Sequence, residues 1–403
     1  METDNTTLLT KVLLERLDLS NWPLGFKDLP IGCALVGGAV RDGLLRSNKF
    51  KPDLDFIVPS QAIQFAKELS HDVGGTCIVL DQERDIARIV LGDWTIDFAR
   101  QVGNTIIEDL SRRDFTINSI ALTFDSQPQI LDPFNGIQHL NERRLVAVSE
   151  RNLIDDPLRI LRGFRFMSEL NLDVEEKTKF LLEAHSRLLS GIAPERIQNE
   201  IKKLIVGDSA ESVIHALNQI DLLSPWANKS KVFISPLNIS EHLKEFNSSE
   251  LEIALTFSRL VDLISEDGLI KLRFSRKEIQ ICRNLRKWLK KNDGLAFKTL
   301  NESDLFQLHV ELESYLPALI LSLPIENQMI WLRRWRDKKD PLFHPSPPVD
   351  GFVLQEVLGV PPGPVLGEIL SHLSKEKAFN RLHTFEEAVE LARYLWKQKQ
   401  PLL

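Results

Sequence analysis

Residues 34–58 read ALVGGAVRDGLLRSNKFKPDLDFIV and predict a strand, a tight turn, a short helix and a second strand. The apolar residues before the turn are typical of a strand, and the adjacent glycines Gly37 and Gly38 allow the backbone to turn sharply. Asp53 and Asp55 lie two residues apart in the second strand, so their side chains share a face. Neighbouring carboxylates repel each other, and a divalent cation such as Mg2+ relieves that repulsion. We therefore expect Asp53 and Asp55 to hold a metal ion.

The glycine turn also suits a phosphate group. Its backbone N–H groups can bind phosphate oxygens, and Arg41, in the helix predicted over 39–45, adds a positive charge one helical turn away. A phosphate site beside a metal site is the arrangement that nucleotidyl transfer requires. Either motif alone is common in ordinary turns and exposed strand ends, but the two in this order indicate a nucleotide site.

Composition limits the class of protein. The chain has 403 residues, of which 43% are hydrophobic, and this predicts two to four globular domains. No apolar run reaches the roughly 18 residues that cross a bilayer, and the first residues, METDNTTLLTK, do not resemble a targeting leader. We expect a cytoplasmic protein with no membrane partner. The three cysteines lie far apart and predict buried thiols, because neither a disulfide framework nor a zinc site fits their spacing.

The net charge of −7 does not exclude a nucleic-acid partner, because phosphate binding depends on local charge. Residues 270–291 contain nine Lys or Arg and one acidic residue. Apolar residues at helical spacing in this stretch predict a helix with an exposed basic face, which suits an RNA backbone and equally a solvated surface. The candidate RNA-binding residues on that face are Arg276, Lys277, Arg283, Lys287 and Lys290.

The pattern along the chain changes near residue 150. Before it we predict helices over 8–17 and 61–69 and strands over 76–80, 86–91 and 95–99, which make a small, mixed sheet with helices. Asp97 lies between apolar residues in the last of these strands. This pattern predicts a strand whose one polar residue faces an active cleft, although an exposed strand face has the same pattern. After residue 150 the pattern is helical.

Two polar segments add to the predicted site. The first, EDLSRRDFTINSIA at 108–121, predicts a helix or a helix-like turn. Its Arg112 and Arg113 can clamp a triphosphate, and Asp114 and Asn118, one turn apart, can meet a ribose hydroxyl. A surface ion pair within the helix is the simpler alternative.

The second segment begins at Asp155-Asp156-Pro157, which predicts the start of a helix. Arg159, Arg162 and Arg165 then recur every three residues beside an apolar stripe. This spacing places them on one face of the helix, as the wall of a basic groove or as a solvated stripe.

These motifs resemble a known family. GGxVRD followed by DxD, and RRDFTxN at 112–118, closely resemble the signatures of polymerase-beta-like nucleotidyltransferases, and among them of class II, bacterial-type tRNA CCA-adding enzymes and poly(A) polymerases. DPFNG at 132–136 and ERIQNE at 195–200 resemble two further elements, and we read the second as a helical brace in which Arg196 pairs with Glu200. Residues 349–370 resemble the tail of the same family more loosely.

The resemblance implies an α+β fold in which a small mixed-sheet head is followed by an all-helical neck, body and tail. The implied boundaries are 1–146 for the nucleotidyltransferase head, 147–207 for the neck, 208–340 for the body and 341–403 for a tRNA-binding tail. It also implies that nucleotides from CTP or ATP are added to the 3′ end of tRNA with release of pyrophosphate, and with two Mg2+ ions on Asp53 and Asp55.

The resemblance assigns roles by position. It makes Asp97 a third catalytic carboxylate, either a metal ligand or a neighbour of the metal site. Asp156 and Arg159 match a pair that reads the base: the carboxylate accepts from the exocyclic amine that C and A share, and the guanidinium donates to the adjacent ring nitrogen. The full set of expected nucleotide-binding residues is Gly37, Gly38, Arg41, Asp42, Arg112, Arg113, Asp114, Asn118, Asp156, Arg159, Arg162 and Arg165.

Which nucleotides are added is predicted from one short segment. In resembled enzymes that build the whole CCA, a flexible loop commonly lies between the third-carboxylate strand and the RRDF motif, and members restricted to CC lack it. Here only residues 101–104 occupy that place. We expect CC addition, with a separate A-adding enzyme as a partner on the same tRNA. Complete CCA addition, A addition and poly(A) synthesis are the alternatives.

Two other classes of protein share part of the pattern. A small-molecule nucleotidyltransferase needs the glycine turn and the two aspartates, but it does not need the arginine helix or the long helical remainder. A non-catalytic RNA-binding protein can use the basic helices, but nothing then favours Asp53 and Asp55 together.

Overall fold

The computed structural model describes residues 2–25, 28–45, 53–125, 127–220, 222–228, 245–292, 297 and 300–399. The chain divides into two compact units, Met1–Leu222 and Leu223–Leu403. None of the helices in the described ranges is both long and apolar enough to span a membrane.

A seven-stranded mixed sheet forms the centre of the first unit. Its strand order is β3-β4-β5-β2-β1-β6-β7, with β2 and β5 parallel and the other neighbours antiparallel. The strands are β1 (Ala34–Val36), β2 (Asp53–Val58), β3 (Thr76–Asp81), β4 (Ile86–Leu91), β5 (Trp94–Arg100), β6 (Ala121–Thr123) and β7 (Gln129–Leu131). The mixed sheet predicted from sequence is confirmed.

Helices pack on both faces of this sheet and extend the chain beyond it. In the head they are α1 (Glu2–Leu17), α2 (Gly38–Leu44), α3 (Ala62–Val73), α4 (Ile106–Ser111) and α5 (Gly136–Asn141). Phe56 and Phe98, on adjacent strands, stack with their rings 5.3 Å apart, and the ring of Phe65 from α3 meets Phe98 edge-on at 5.0 Å. The alternate residues of β2 and β5 lie on the opposite face. There Leu110 of α4 covers Ile57, while Asp53 and Asp55 stay exposed, and we call this uncovered part the open face.

The predicted helix over 108–121 is shorter in the structure. α4 ends at Ser111, and a single 3-10 turn covers Thr116–Asn118. Asp132 accepts hydrogen bonds from the backbone N–H groups of Gly136 and Ile137, at 2.7 and 2.9 Å, which closes the turn before α5. The DPFNG segment therefore has the structural role of a turn.

The helical part of the first unit begins differently from the prediction. α6 runs over Glu150–Asp155, Asp156 leaves the helical conformation, and α7 runs over Leu158–Leu170. Asp155 thus ends one helix, and the helix predicted to start at Asp155-Asp156-Pro157 begins directly after Pro157. Pro157 is compatible with a helix start but disfavours helical geometry in the residue before it, so the break falls at Asp156. The remaining elements are β8 (Arg144–Leu145) paired with β9 (Asp173–Val174), α8 (Glu176–Ala184), α9 (Pro194–Leu204) and α10 (Ala210–Gln219).

The described part of the second unit is built of helices. They are α11 (Ser248–Leu263), α12 (Glu266–Lys271), α13 (Arg276–Asn292), α14 (Glu302–Leu312), α15 (Leu316–Ile320), α16 (Ile325–Arg336), α17 (Gly351–Leu358), α18 (Pro364–Ala378) and α19 (Phe385–Lys399). Leu354, Leu366, Ile369, Leu373 and Ala388 bring α17, α18 and α19 around one apolar cluster. The helical character expected after the head is confirmed except for the short strand β9 in the predicted neck, while the boundaries at 146, 207 and 340 stay predictions.

The predicted basic face of α13 is exposed. Arg276, Lys277, Arg283, Lys287 and Lys290 all lie on the surface, and Ile281, Cys282, Leu285 and Trp288 are buried beneath. Much of this charge is already paired. Arg283 contacts Glu266 at 2.6 Å and Lys287 contacts Glu311 at 2.7 Å. The face therefore offers less free positive charge than the sequence indicates, and its role in RNA binding stays a prediction.

The cysteines carry no cross-links. Cys33, Cys77 and Cys282 are free, and the first and last are buried. Burial raises the pKa of the Cys282 thiol to about 12 and raises that of Cys33 as well. Both are inert packing groups at neutral pH.

A buried histidine in the second unit predicts a pH-dependent stability. The His309 side chain is fully buried against Phe343 and Trp331, with ring centroids 4.1 and 5.4 Å away, and neither ring nitrogen has a hydrogen-bond partner among the described residues. Burial and the nearby Arg334 lower its pKa to about 3. An unfolded histidine titrates near pH 6.5, so between these values the unfolded chain binds a proton that the folded chain excludes.

Lowering the pH from 7 to 5 therefore costs about 2 kcal/mol of folding free energy at this residue. The variant His309→Leu should lack this loss, and the control His372→Gln, at an exposed site, should keep it. Urea unfolding monitored by tryptophan fluorescence at both pH values measures the difference. Equal pH dependence in His309→Leu and in the unmodified protein would contradict the assignment.

Candidate functional site

The two predicted metal-binding aspartates lie on the open face of the sheet. Asp53 and Asp55 are both exposed in β2, while Leu54 between them is buried. The parallel register places Asp55 directly beside Asp97 of β5, so the face that the sequence could not determine for Asp97 is the same one. Although Asp55 is accessible to solvent, the surrounding protein removes part of the hydration of its carboxylate. This desolvation, followed by the charge of Asp97, raises the pKa of the Asp55 carboxyl. This excess of negative charge is what a bound divalent cation relieves, so Asp53 and Asp55 fit Mg2+.

Asp97 itself is engaged by an arginine. Arg88, its partner in the register of β4, donates from Nε and Nη2 to the two oxygens of Asp97 at 2.7 and 2.8 Å. The described ranges contain no group of at least three His, Cys, Asp or Glu side chains that could hold a metal ion together. The pair Asp53 and Asp55 is therefore the metal candidate, and direct ligation by Asp97 stays a prediction.

The glycine turn packs against these carboxylates. Gly37 has a φ of 73°, and a Cβ built there would lie 3.4 Å from Oδ2 of Asp55 and 3.6 Å from Nη1 of Arg113. A side chain at this position would be strained and would fill the space between an acid and a base. Arg113 is steadied by Asp109, at 3.2 Å. Backbone, carboxylate and guanidinium thus meet at one point, as expected for a triphosphate site.

Arg41 is more constrained than its predicted role as a phosphate-neutralising residue requires. It is buried, its Nη1 donates to the side-chain oxygen of Asn118 at 2.8 Å, and its Nε donates to Asp42 at 2.8 Å. Asn118 in turn donates to Asp114 at 3.0 Å. The chain of contacts links α2 to the RRDF segment, and Asp42 acts in this structure as the partner that holds Arg41.

Asp114 is the buried anchor of the site. Its carboxylate accepts hydrogen bonds from Asn118, from the backbone N–H of Phe115 at 2.8 Å and from Nε of Arg162 at 2.8 Å. Burial alone would raise its pKa, but the charge of Arg162 and these hydrogen bonds outweigh burial and lower the pKa to about 2. Asp114 is therefore ionised throughout the physiological range and fixes α7 to the head. Its contact with a ribose hydroxyl stays a prediction.

The arginines of α7 form the second wall of the site. Arg159 donates to the backbone carbonyls of Arg112 and Asn152, at 2.6 and 3.2 Å, and Arg162 binds Asp114. Arg165 is buried and contacts Glu200 at 3.1 Å. Arg162 and Arg165 also lie 5.4 and 4.3 Å from the centroid of the Phe166 ring, whose face attracts cations. These contacts exclude the alternative of a freely solvated stripe.

The expected brace between Arg196 and Glu200 is wrong. Arg196 instead contacts Asp156 at 3.1 Å, while Glu200 is buried and pairs with Arg165. The i,i+4 rule considers one helix in isolation, whereas α9 packs against α7 and turns Glu200 towards the arginines there. Asp156 consequently has two cationic neighbours, Arg196 and, at 4.0 Å, Arg159.

The buried pair of Glu200 and the exposed pair of Arg196 should contribute differently to the stability of the protein. Glu200→Ala removes the buried partner of Arg165, which then keeps only the less buried Glu169 at 3.5 Å, and should lower the free energy of unfolding by about 3 kcal/mol. Arg196→Ala breaks a contact of a half-exposed side chain and should cost about 1 kcal/mol or less. Urea unfolding of the two variants measures both values. Similar losses would show that Glu200 does not hold α9 against α7 in the way described.

Most of the predicted nucleotide-binding residues surround one cleft of about 490 Å³ in the first unit. Asp97 does not line the cleft, and Arg112 lines a neighbouring cavity of about 1100 Å³. The predicted residues that line the cleft are Gly37, Gly38, Arg41, Asp42, Asp53, Asp55, Arg113, Asp114, Asn118, Asp156, Arg159, Arg162 and Arg165.

Four residues at the site were not predicted from the sequence. Arg88 pairs with Asp97, Asp109 steadies Arg113, and Asn152 donates to the carbonyls of Ser111 and Arg113, both at 2.8 Å. Phe166 supplies the ring beneath the arginines. Arg88 alternates with buried residues in its strand, and that polar position was the available signal. The roles of Asp109 and Asn152 depend on long-range packing.

Comparisons with known proteins agree with the site. The family model described as "Poly A polymerase head domain" matches residues 33–146, and the one described as "Probable RNA and SrmB- binding site of polymerase A" matches residues 171–227. A CC-adding tRNA nucleotidyltransferase from Synechocystis sp. is 30% identical, over 93% of this chain and 96% of the relative. A CCA-adding enzyme from Lactococcus lactis is 29% identical, over 88% of this chain and 90% of the relative.

The fold has solved counterparts as well. The Thermotoga maritima CCA-adding enzyme complexed with tRNA aligns with a TM-score of 0.69 at 22% identity, covering 97% of this chain and 98% of the other. A sheet-based head with paired carboxylates, a glycine turn and an arginine helix defines a nucleotidyltransferase. The chain belongs to the family of tRNA nucleotidyltransferases, which implies dependence on a divalent metal ion.

Proposed function

We propose that this enzyme adds two C residues from CTP to the 3′ end of tRNA, releases pyrophosphate, and then stops. The observation that carries the proposal is the short, hydrogen-bonded link between β5 and α4. Gln101 N donates to the carbonyl of Val58 at 2.8 Å, Val102 N donates to Asp109 at 3.0 Å, and Asn104 N donates to Glu108 at 2.7 Å. Thr105 then caps α4. A link held in this way supports a nucleotide pocket of fixed shape.

The chemistry assigned to the site uses the chain's own residues for binding and orientation. Asp53 and Asp55 would hold Mg2+, which lowers the pKa of the attacking ribose hydroxyl and neutralises charge on the triphosphate. The backbone at Gly37 and the guanidinium of Arg113 hold the phosphates. The reaction needs no covalent bond to the protein, because positioning and charge stabilisation supply most of the catalysis of phosphoryl transfer.

Base selection is assigned to Asp156 and Arg159. The carboxylate accepts a hydrogen bond from the exocyclic amine of cytosine, and the guanidinium donates to the adjacent ring nitrogen. Contacts within the protein hold both side chains: Arg196 pairs with Asp156, and two backbone carbonyls accept hydrogen bonds from Arg159. A preorganised pair of this kind selects C over U without a nucleic-acid template.

The names of the relatives support the addition of C residues, and they favour one alternative function. The Synechocystis relative, named as CC-adding, spans nearly the whole chain, and a second CC-adding relative, from Geobacter sulfurreducens, is 38% identical over 43% of it. The Lactococcus lactis relative, named as CCA-adding, is almost as similar over its length and favours complete CCA addition as the alternative. On the first reading a separate A-adding enzyme completes the same tRNA in the cytoplasm.

A transfer assay tests the proposed function. The purified protein is incubated with Mg2+, labelled CTP and a tRNA transcript that ends before the CCA, and a parallel reaction replaces the tRNA by an aminoglycoside. We expect two labelled C residues on the tRNA, resolved on a sequencing gel, and no labelled aminoglycoside. Binding of tRNA without any incorporation would overturn the proposal in favour of a non-catalytic RNA-binding protein.

A further inference from the structure

The open face of the sheet continues past the metal-binding carboxylates. In the sheet register Asp55 lies beside Asp97, Asp97 beside Arg88, and Arg88 beside Ile78 of the edge strand β3. These four side chains therefore form one row across four strands. Neighbouring strands are about 4.8 Å apart, so the row extends about 14 Å from Asp55.

The outer end of this row is apolar and open to solvent. Ile78 is 45% exposed. Val90, two residues after Arg88 in β4 and on the same face, is 37% exposed. The Arg88 side chain between them is 41% exposed. Ala87 and Ile89, which alternate with them on β4, are fully buried on the other face. We call the surface made by Ile78, Arg88 and Val90 the outer platform; it does not line the nucleotide cleft.

The geometry of phosphoryl transfer determines what approaches over this surface. The attacking and leaving oxygens lie in line, on opposite sides of the phosphorus. Gly37 follows β1 and lies beside both Asp55 and Arg113. In the proposed function Gly37 and Arg113 hold the triphosphate, which puts it on the β1 side of the carboxylates. β1 and β5 flank β2 on opposite sides. The attacking hydroxyl therefore arrives from the β5 side, across β4 and β3.

We propose that the outer platform binds the 3′-terminal nucleotide of the RNA acceptor, an assignment that rests on the proposed function. Ile78 and Val90 offer an apolar surface to the terminal base or ribose, as single-stranded nucleic acids require. Arg88 positions the last phosphate. Arg88 donates from Nε and Nη2 to Asp97, and its Nη1 can donate to a phosphate oxygen.

Steady-state kinetics of two variants that each introduce a negative charge test the platform. Ile78→Glu places a negative charge where the RNA would lie and should raise KM for tRNA ending before the CCA by about tenfold or more. The affinity for CTP and Mg2+ without tRNA should not change. The control is Leu8→Glu, which makes the same change at a 62% exposed side chain of α1, against β7 at the opposite edge of the sheet. It should keep both values.

A crosslinking experiment on the unmodified protein does not depend on how the variants fold. A tRNA that carries 4-thiouridine as its last nucleotide is irradiated in the complex, and crosslinked peptides are identified by mass spectrometry. We expect crosslinks within residues 76–91. Crosslinks only to other segments, or an unchanged KM in Ile78→Glu, would overturn the platform assignment, as would a dimer that Ile78→Glu converts to a monomer.

The two proposals fail in different ways. If the unmodified protein incorporates no nucleotide from CTP, the proposed function is wrong. If it incorporates C normally while the crosslinks lie elsewhere, only the platform assignment is wrong.

Discussion

Replacing Asp55 by Asn is expected to reduce C incorporation by about 10³-fold or more. In the proposed mechanism the carboxylate pair holds the metal ion, and loss of several kcal/mol of transition-state stabilisation corresponds to a rate factor of this size. Folding should not suffer. The pKa of Asp55 is raised because its surroundings disfavour the charged form, so a neutral amide at this position relieves repulsion from Asp97. The thermal unfolding midpoint in the absence of metal should be equal to or higher than that of the unmodified protein.

The matched control for Asp55→Asn is Asp72→Asn. Asp72 lies in α3 with a side chain that is 78% exposed, so the same chemical change there removes no metal ligand. It should leave incorporation within about twofold, as surface substitutions usually do. Incorporation by Asp55→Asn at a rate close to that of the control would show that the metal lies elsewhere.

Replacing Asp156 by Asn is expected to weaken the choice of base. The amide can present its NH2 group to the exocyclic oxygen of uracil, which the carboxylate rejects, and it loses the charge that pairs with Arg196. A site that reads a hydrogen-bonding group loses discrimination by about 10² or more when that group is changed. We expect the ratio of kcat/KM for CTP to that for UTP to fall by about this factor.

The control for Asp156→Asn is Asp173→Asn, an exposed position in β9 of the same unit. Its preference for CTP should match that of the unmodified protein. An unchanged preference in Asp156→Asn would remove Asp156 from base selection and leave Arg159 as the single reading residue.

The local motifs predicted the cleft because their chemistry is encoded by short spacings. Two residues in a strand share a face, and three or four residues in a helix share a side, so Asp53 with Asp55 and the arginines of α7 were predicted from sequence alone. The face of Asp97 was not predictable in this way. It depends on the parallel register between β2 and β5, whose residues are about 40 positions apart.

The errors have the same physical origin. The interpretation of Arg196 and Glu200 as a pair used only one helix, and the structure supplies each of them with a stronger partner from another segment. The basic face of α13 was correctly predicted to be exposed, but its partner Glu311 lies on α14, beyond the reach of a pattern within α13. Long-range pairing, which a single sequence does not encode locally, decides how much of a charged face is free.

In the proposed function, a nucleotide pocket of fixed shape accepts CTP twice and never accepts ATP. The most direct measurement is incubation of the enzyme and Mg2+ with tRNA already ending in CC, with labelled ATP as the sole nucleotide, read on a sequencing gel beside the CTP reaction on tRNA without CCA. We expect two added C residues in the second reaction and no product in the first. Extension of the CC-ended tRNA by one A would contradict it, because the pocket would then change its preference despite the fixed link at residues 101–105.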